Sequence, residues 1–171
     1  MKTNSKVLTL AYGGVIAALY VVLTYLSNAA GLANGAIQVR ISEALTILPY
    51  FTPAAIPGVF VGCLLSNLLT GCIPVDVICG SLTTLAAAAT TYMLGKKKPI
   101  GKNSKWLAPV PPIIYNAIVV PFVLAYGYQI EGSIPFFMLT VGAGEVISCG
   151  VIGMILFLAL EKNASRIFRN S

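Results

Sequence analysis

The chain contains no histidine, and charged residues are scarce: 11 basic and 5 acidic among 171. Without histidine, Ser-His-Asp triads, Cys-His pairs and H-E-x-x-H zinc motifs are all excluded. A membrane-embedded enzyme is the alternative class that remains, and the lack of any paired catalytic motif argues against it. The charged fraction is 9%, against roughly 25% in soluble domains. So few charges cannot cover a soluble surface, which favours lipid as the solvent.

The few charges are also spaced far apart along the chain. Residues 7–39, 44–75, 77–95 and 106–130 contain none, and residues 132–160 contain only Glu145. A membrane-spanning helix needs about 20 consecutive apolar residues, so several of these stretches are long enough to cross a bilayer. The sequence therefore predicts an all-α integral membrane protein of the cell membrane, folded as a single bundle.

Neither the cysteines nor the lysine-rich segment predicts a cofactor or metal site. Cysteines 63, 72, 79 and 149 form no C-x-x-C pair, so we interpret them as small buried apolar side chains. Residues 95–103 superficially resemble a phosphate-binding loop. However, five residues separate their glycines, and Asn103 stands where a hydroxyl is required. Any ATP hydrolysis that drives this protein would therefore require another subunit.

Hydropathy and proline spacing predict six transmembrane helices, at about 7–26, 41–52, 55–70, 75–94, 107–127 and 134–160. Residues 40–69 are the ambiguous part, because one helix over this stretch would be about 45 Å long, well beyond the ~30 Å hydrocarbon core. Pro49, Pro53 and Pro57 also lie within it, and prolines this dense break a helix. Two short helices are therefore expected there.

The distribution of basic residues supports six spans over five. With six spans, both termini and the loop at 95–105 are cytoplasmic, and ten of the eleven basic residues lie inside, all except Arg40. With five spans, the five lysines of residues 96–105 would lie outside, against the positive-inside rule. The topology thus predicts cytoplasmic N- and C-termini.

Polar residues within the spans cluster between mid-membrane and the outer surface. Glu145 is predicted near mid-membrane, where an unpaired carboxylate is costly and marks a candidate functional site. Arg40 and Glu43 are three residues apart, so a salt bridge at a helix start is an equal alternative to ligand binding. Asp76 follows Pro74, where helix capping is the alternative. We expect an outward-opening pocket for a small polar ligand, formed by Asn34, Gln38, Arg40, Glu43, Asn67, Asp76, Tyr115, Asn116 and Glu145.

The first helix carries a face of small residues: Gly13, Gly14, Ala17 and Ala18. Such faces allow helices to approach one another closely in membranes. The pattern is consistent with packing inside the bundle, and equally with docking of a separate membrane partner.

Together these features resemble the substrate-binding S components of energy-coupling factor (ECF) transporters. The most specific part runs from Gln38 to Gly58, reads QVRISEALTILPYFTPAAIPG, and resembles the QueT group, as do Gly62-Cys63 and Asn67-Leu68-Leu69. The resemblance covers essentially the whole chain. It implies uptake of a queuosine precursor, a 7-deazaguanine base, and partnership with the transmembrane coupling protein EcfT and two ATPases. It also implies that the small-residue face contacts EcfT.

A guanine-like ligand suits the candidate residues on chemical grounds. Adjacent N–H donors of its edge would pair with the carboxylate of Glu145 or Glu43. Its carbonyl would accept from Arg40 and Asn116, and Tyr115 would stack on its face. The alternatives are an S component for a different vitamin, a stand-alone secondary transporter of a small polar metabolite, and an assembly subunit without a ligand.

Overall fold

A computed structural model describes residues 5–32 and 37–168. Within these residues the fold is entirely helical and contains no strand. The longer helices are α1 (Ser5–Ala29), α2 (Ala55–Leu69), α3 (Pro74–Lys97), α4 (Val110–Phe122) and α5 (Ile134–Glu145). The predicted all-α membrane bundle is thus confirmed.

Two of the helices continue as wider, π-helical turns. After Pro121, α4 continues through Val123–Gly127. Following Glu145, α5 continues through Val146–Gly153 and then as α6 (Met154–Glu161). Four segments are long and apolar enough to cross a membrane: Lys6–Ala29, Pro74–Lys97, Gly101–Gly127 and Ile134–Glu161. The protein is therefore a multi-pass membrane protein.

The proline-rich region between α1 and α3 folds as two short helices separated by a turn. The first is a 3₁₀ helix, Ile41–Tyr50, and the second is α2. At about 2.0 Å per residue, the 3₁₀ helix is about 20 Å long, and α2 is about 22 Å long. Residues 42–49 of the 3₁₀ helix are all buried. Because surrounding helices shield it from lipid, its backbone need not match the bilayer thickness.

Small residues allow α1 and α2 to pack closely. A Cβ added at Gly62 would lie 2.6 Å from the Cβ of Tyr20, and one at Gly58 would lie 2.9 Å from the carbonyl oxygen of Gly13. Both are closer than real Cβ atoms approach a neighbour, so these positions require glycine. The close approach places the Tyr20 side chain in the centre of the bundle, where it is 1% exposed.

The apolar core fills the end of the bundle that carries the lysines. It surrounds the 3₁₀ helix and includes Ile16, Ile47, Val59, Met154 and Phe157. Lys105 and Glu161 form an ion pair of 3.1 Å at the same end. The opposite end is less densely filled, and the cavity opens there.

Candidate functional site

A cavity of about 460 Å³ opens at the end of the bundle opposite the lysines. Its mouth is formed by residues next to helix ends, among them Asn28, Thr70, Cys72 and Ile130. Its volume lies within the range typical of small-molecule sites. The cavity extends inward to the middle of α4 and the end of α5, where the polar side chains of Asn116 and Glu145 line it.

Two carboxylates from distant parts of the sequence meet at the bottom of the cavity. Glu43 comes from the 3₁₀ helix and Glu145 from the end of α5; they are 3% and 9% exposed. Asn116 of α4 donates through Nδ2 to Glu145 Oε1 at 3.0 Å. The Cys149 thiol, one turn further along, donates to Glu145 Oε2 at 3.2 Å. Both oxygens of Glu145 thus accept hydrogen bonds, and neither donor is charged.

Helix α1 holds Glu43 in place. The Tyr20 hydroxyl donates to Glu43 Oε1, and Ser27 Oγ accepts from the backbone N–H of Ile41 at 2.8 Å, which fixes the start of the 3₁₀ helix. The second oxygen, Glu43 Oε2, is buried and has no hydrogen-bond partner among the described residues. A buried polar atom without a partner is costly, so a donor supplied by a ligand would stabilise this site.

Arg40 and Asn67 lie together on one side of the cavity. The Arg40 guanidinium donates to Asn67 Oδ1 at 3.4 Å, and Asn67 is buried behind it at 1% exposure. Arg40 itself lines the cavity. The predicted alternative, a salt bridge between Arg40 and Glu43, is not formed within the described part of the chain. The guanidinium is therefore able to donate to a ligand.

Asp76 and Tyr128 form a second polar pair near the mouth. The Tyr128 hydroxyl donates to Asp76 Oδ2 at 2.8 Å. Burial, followed by the hydrogen bond to Asp76, raises the pKa of the Tyr128 hydroxyl above its usual value. Tyr128 therefore stays a neutral donor at physiological pH. The Asp76 carboxylate lines the cavity and forms no salt bridge with any described residue.

The remaining wall is apolar. Val120, Val123, Leu124 and Val141 line the cavity from α4, its π-helical continuation and α5. Leu124 and Val141 also pack with Phe137 in a small apolar cluster. A flat, partly aromatic ligand would be covered by such a wall on its faces, while its polar edges met the carboxylates and the guanidinium.

Glycine next to Glu145 allows the chain to pass close by. A Cβ at Gly144 would overlap the backbone carbonyl of Gln38. The extended segment that leads into Arg40 can therefore lie against α5. As a result, Gln38, Arg40, Glu43 and Glu145 line one cavity although they come from two distant parts of the sequence.

Comparison with known proteins assigns the family. The family model described as QueT transporter matches residues 10–162, which is most of the chain. The chain belongs to the QueT transporter family. A protein of Lactococcus lactis subsp. cremoris (strain MG1363), named queuosine precursor transporter QueT, is 40% identical over 91 residues. That match covers 53% of the chain and 53% of the relative's length. No solved structure matches the chain significantly.

Most of the residues predicted to bind a ligand are brought together in this QueT-family chain. Five of them line the cavity with Glu145: Gln38, Arg40, Glu43, Asp76 and Asn116. Asn67 lies behind Arg40. Asn34 falls outside the described residues. Tyr115 is not among the lining residues; it is 36% exposed, and its hydroxyl lies 3.4 Å from Thr90 Oγ1.

The small-residue face of α1 divides into two halves. Gly13 and Ala17 are buried against α2. Gly14 and Ala18 are exposed, and a Cβ at Gly14 would meet nothing within 4 Å. Packing inside the bundle therefore explains one half of the face and leaves the other half uncovered.

Three residues of the site have no clear signal in the sequence. Tyr20 and Tyr128 are tyrosines in or beside apolar segments, and no sequence pattern pairs them with Glu43 or Asp76. Cys149 has the sequence context of a small apolar side chain, but it lies four residues after Glu145 and therefore on the same helix face. Together with Glu43 and Glu145, Cys149 offers three ligand atoms within 4.8 Å that could hold a metal ion. The same thiol lies 3.2 Å from Glu145 Oε2 and 3.3 Å from the backbone carbonyl oxygen of Glu43.

Proposed function

We propose that this chain is the substrate-binding subunit of an ECF-type importer in the plasma membrane, and that it captures a queuosine precursor with a 7-deazaguanine base. The observation that carries the proposal is the pair of buried carboxylates, Glu43 and Glu145, beside Asn116 at the bottom of the cavity. The printed name of the Lactococcus relative supports the same ligand class.

A 7-deazaguanine matches the donors and acceptors of the cavity. Its two adjacent N–H donors pair with a carboxylate, for which Glu145 or Glu43 is positioned, and the free Glu43 Oε2 accepts one of them. Arg40 or Asn116 donates to the ring carbonyl. In this arrangement the apolar wall of α4 and α5 covers the faces of the ring, in place of the stacking role expected for Tyr115.

The direct test is a thermal-shift screen on the purified protein in detergent, with 7-deazaguanines, pterins and pyrimidines as probes. A ligand at 100 times its Kd stabilises the folded state by about 2.7 kcal/mol. We expect this stabilisation from 7-deazaguanines alone. A shift with a pterin or pyrimidine, and none with 7-deazaguanines, would assign the site to a different vitamin.

The proposed partners are EcfT and two ATPases. Support comes from a groove of about 580 Å³ on the surface of α1 and α2, lined by Leu10, Gly14, Pro57 and Val61 among others. Its exposed small and apolar side chains suit a helix of another membrane protein. Co-purification of the chain with two ATPases supports the ECF assignment; ligand uptake by reconstituted chain alone would instead support a secondary transporter.

Replacing Tyr20 by phenylalanine tests the support given to Glu43. The change removes the hydroxyl that donates to Glu43 Oε1 and retains the ring. Without this bond the Glu43 carboxylate is no longer held in the position that meets the ligand, and we expect about tenfold weaker binding of a 7-deazaguanine, equivalent to about 1.4 kcal/mol. Tyr12→Phe is the matched control, because the Tyr12 hydroxyl donates to the Ile167 carbonyl, away from the cavity. Equal affinities of the two variants would contradict the role given to Tyr20.

A further inference from the structure

Three side chains of the kinds that bind metal ions meet at the bottom of the cavity. One carboxylate oxygen of Glu43, one of Glu145 and the Cys149 sulfur all lie within 4.8 Å of one another. The sulfur is 3.2 Å from Glu145 Oε2, close to the spacing of about 3.5 Å between an oxygen and a sulfur that bind the same tetrahedral zinc ion. All three side chains are buried, so the cluster differs from the solvated acidic clusters of protein surfaces.

Each carboxylate has one oxygen that is held by a neutral donor. Asn116 donates to Glu145 Oε1, which leaves Oε2 to face the Cys149 thiol. Tyr20 donates to Glu43 Oε1, and Glu43 Oε2 is buried without a hydrogen-bond partner among the described residues. Hydrogen bonds to the outer side of a ligand orient it in metal sites. An unpartnered buried oxygen is costly until it gains a partner, and a metal ion is one such partner.

A dication would also stabilise the charges of the cluster. Two carboxyl groups this close in a buried site do not readily ionise together, and neither forms a salt bridge with any described residue. A bound dication allows both to ionise, and the thiol loses its proton on binding. One negative charge then remains, and the guanidinium of Arg40, which lines the same cavity, offsets it.

The types of ligand determine which metal the cluster suits. Mg²⁺ and Ca²⁺ take six or more oxygen ligands, whereas Zn²⁺ binds thiolate and carboxylate together in four-coordinate sites. Three protein ligands leave a fourth position for water. The ion can enter through the cavity, because Glu43 and Glu145 both line it.

We propose that Glu43, Glu145 and Cys149 form a binding site for Zn²⁺, with one oxygen of each carboxylate and the thiolate as ligands. Binding replaces the proton of the Cys149 thiol by the metal and releases that proton to solvent. The metal site itself does not depend on the proposed function. One consequence does: a 7-deazaguanine is proposed to pair with the same carboxylates, so Zn²⁺ and that ligand exclude each other.

The probe for the site is Co²⁺, which occupies zinc sites and gives a thiolate-to-cobalt absorption band in the near ultraviolet. Purified, reduced protein in detergent is titrated with Co²⁺, and then with Zn²⁺ or Mg²⁺ as competitor. Wild-type protein should show the band; Zn²⁺ should remove it, and Mg²⁺ should not. Cys149→Ser should lose the band. Cys79→Ser is the matched control and should keep it, because Cys79 is a free thiol of α3 that does not line the cavity.

Glu43→Gln tests the carboxylate ligands separately from the thiolate. This variant retains Cys149, so the band should still form, but at Co²⁺ concentrations at least about tenfold higher, since losing even a supporting partner of a metal ligand costs about 10–100-fold in affinity. Unchanged Co²⁺ affinity in Glu43→Gln would remove Glu43 from the site.

The remaining outcomes are equally decisive. Absence of the band from wild-type protein overturns the metal site without reference to any variant. A band that persists in Cys149→Ser, or that Mg²⁺ removes as readily as Zn²⁺ does, contradicts the thiolate ligand or the metal class.

Mutual exclusion is measured by calorimetry of a 7-deazaguanine with and without saturating Zn²⁺. We expect at least about tenfold weaker binding in the presence of Zn²⁺, equivalent to about 1.4 kcal/mol. Equal affinities would overturn the exclusion and leave the proposed function intact. Failure of the metal-free protein to bind the compound would overturn the proposed function, and the exclusion with it, while the cobalt titration still decides the metal site.

Discussion

Glu145→Gln is expected to reduce the affinity for a 7-deazaguanine by at least about 30-fold, since truncating one partner of a buried, charged hydrogen bond costs about 2–5 kcal/mol. The amide that replaces the carboxylate has one acceptor where the ligand edge and the present donors, Asn116 and Cys149, need two. Its NH₂ group would also face a donor. Titration of the purified variant by calorimetry measures the loss.

The matched control is Glu161→Gln, which makes the same change at the far end of the same continuous helical segment. Glu161 is exposed and paired with Lys105, so its variant should bind as wild type does. Unliganded Glu145→Gln should melt no earlier than wild type, because a neutral amide removes the unfavourable proximity of two buried carboxyl groups. A binding defect and a folding defect are thus separable.

Glu43→Gln completes the test of the two buried carboxylates at the bottom of the cavity, Glu43 and Glu145. Glu43 is held by Tyr20 and offers its free Oε2 to a ligand, so this variant should also bind more weakly. If both Glu43→Gln and Glu145→Gln bind 7-deazaguanines with wild-type affinity, the assignment of the N–H edge to these residues is wrong.

The position of the cavity could be anticipated from charge and hydropathy, but the orientation of individual side chains could not. Tyr115 and Asn116 are neighbours in the middle of an apolar helix, about 100° apart around its axis. The hydropathy of α4 does not show which of the two faces the bundle. Asn116 points to the cavity and donates to Glu145, while Tyr115 is exposed. For Glu145 the sequence was sufficient, because an ionisable side chain near mid-membrane is too costly to face lipid and must therefore face the interior of the bundle.

The region around the 3₁₀ helix was also only partly predictable from the sequence. Proline spacing predicted a break after residue 52, and the structure has its turn between Tyr50 and Ala55. The 3₁₀ winding of Ile41–Tyr50 and the burial of its residues 42–49 depend on contacts with α1, α3 and the π-helical turns after Glu145. These contacts join residues far apart in the sequence, so a local sequence pattern cannot predict them. The hydrogen bond from Tyr20 to Glu43 also joins distant residues and could not be predicted for the same reason.

Gly14→Leu is expected to abolish uptake while leaving ligand binding intact, and it tests the proposed docking of α1 on EcfT. Gly14 lies on the exposed half of the small-residue face, where an added Cβ would meet nothing within 4 Å. Leucine at this position would keep a partner helix from approaching closely, because such contacts depend on small residues. The variant should therefore bind a 7-deazaguanine as wild type does, and its cells should take up at least about tenfold less labelled compound, as expected for a loss of about 1.4 kcal/mol or more.

Val15→Leu serves as the control, because Val15 is 59% exposed and lies about 100° further round α1, away from Gly13. It adds bulk to the same helix without covering the small-residue face, so uptake and co-purification with the ATPases should both be preserved. Uptake and co-purification that also persist in Gly14→Leu would show that the exposed half of the face is not the docking surface. The dependence of uptake on Gly14, measured beside unchanged ligand affinity, thus separates the part of α1 that supports the cavity through Tyr20 from the part available to a partner.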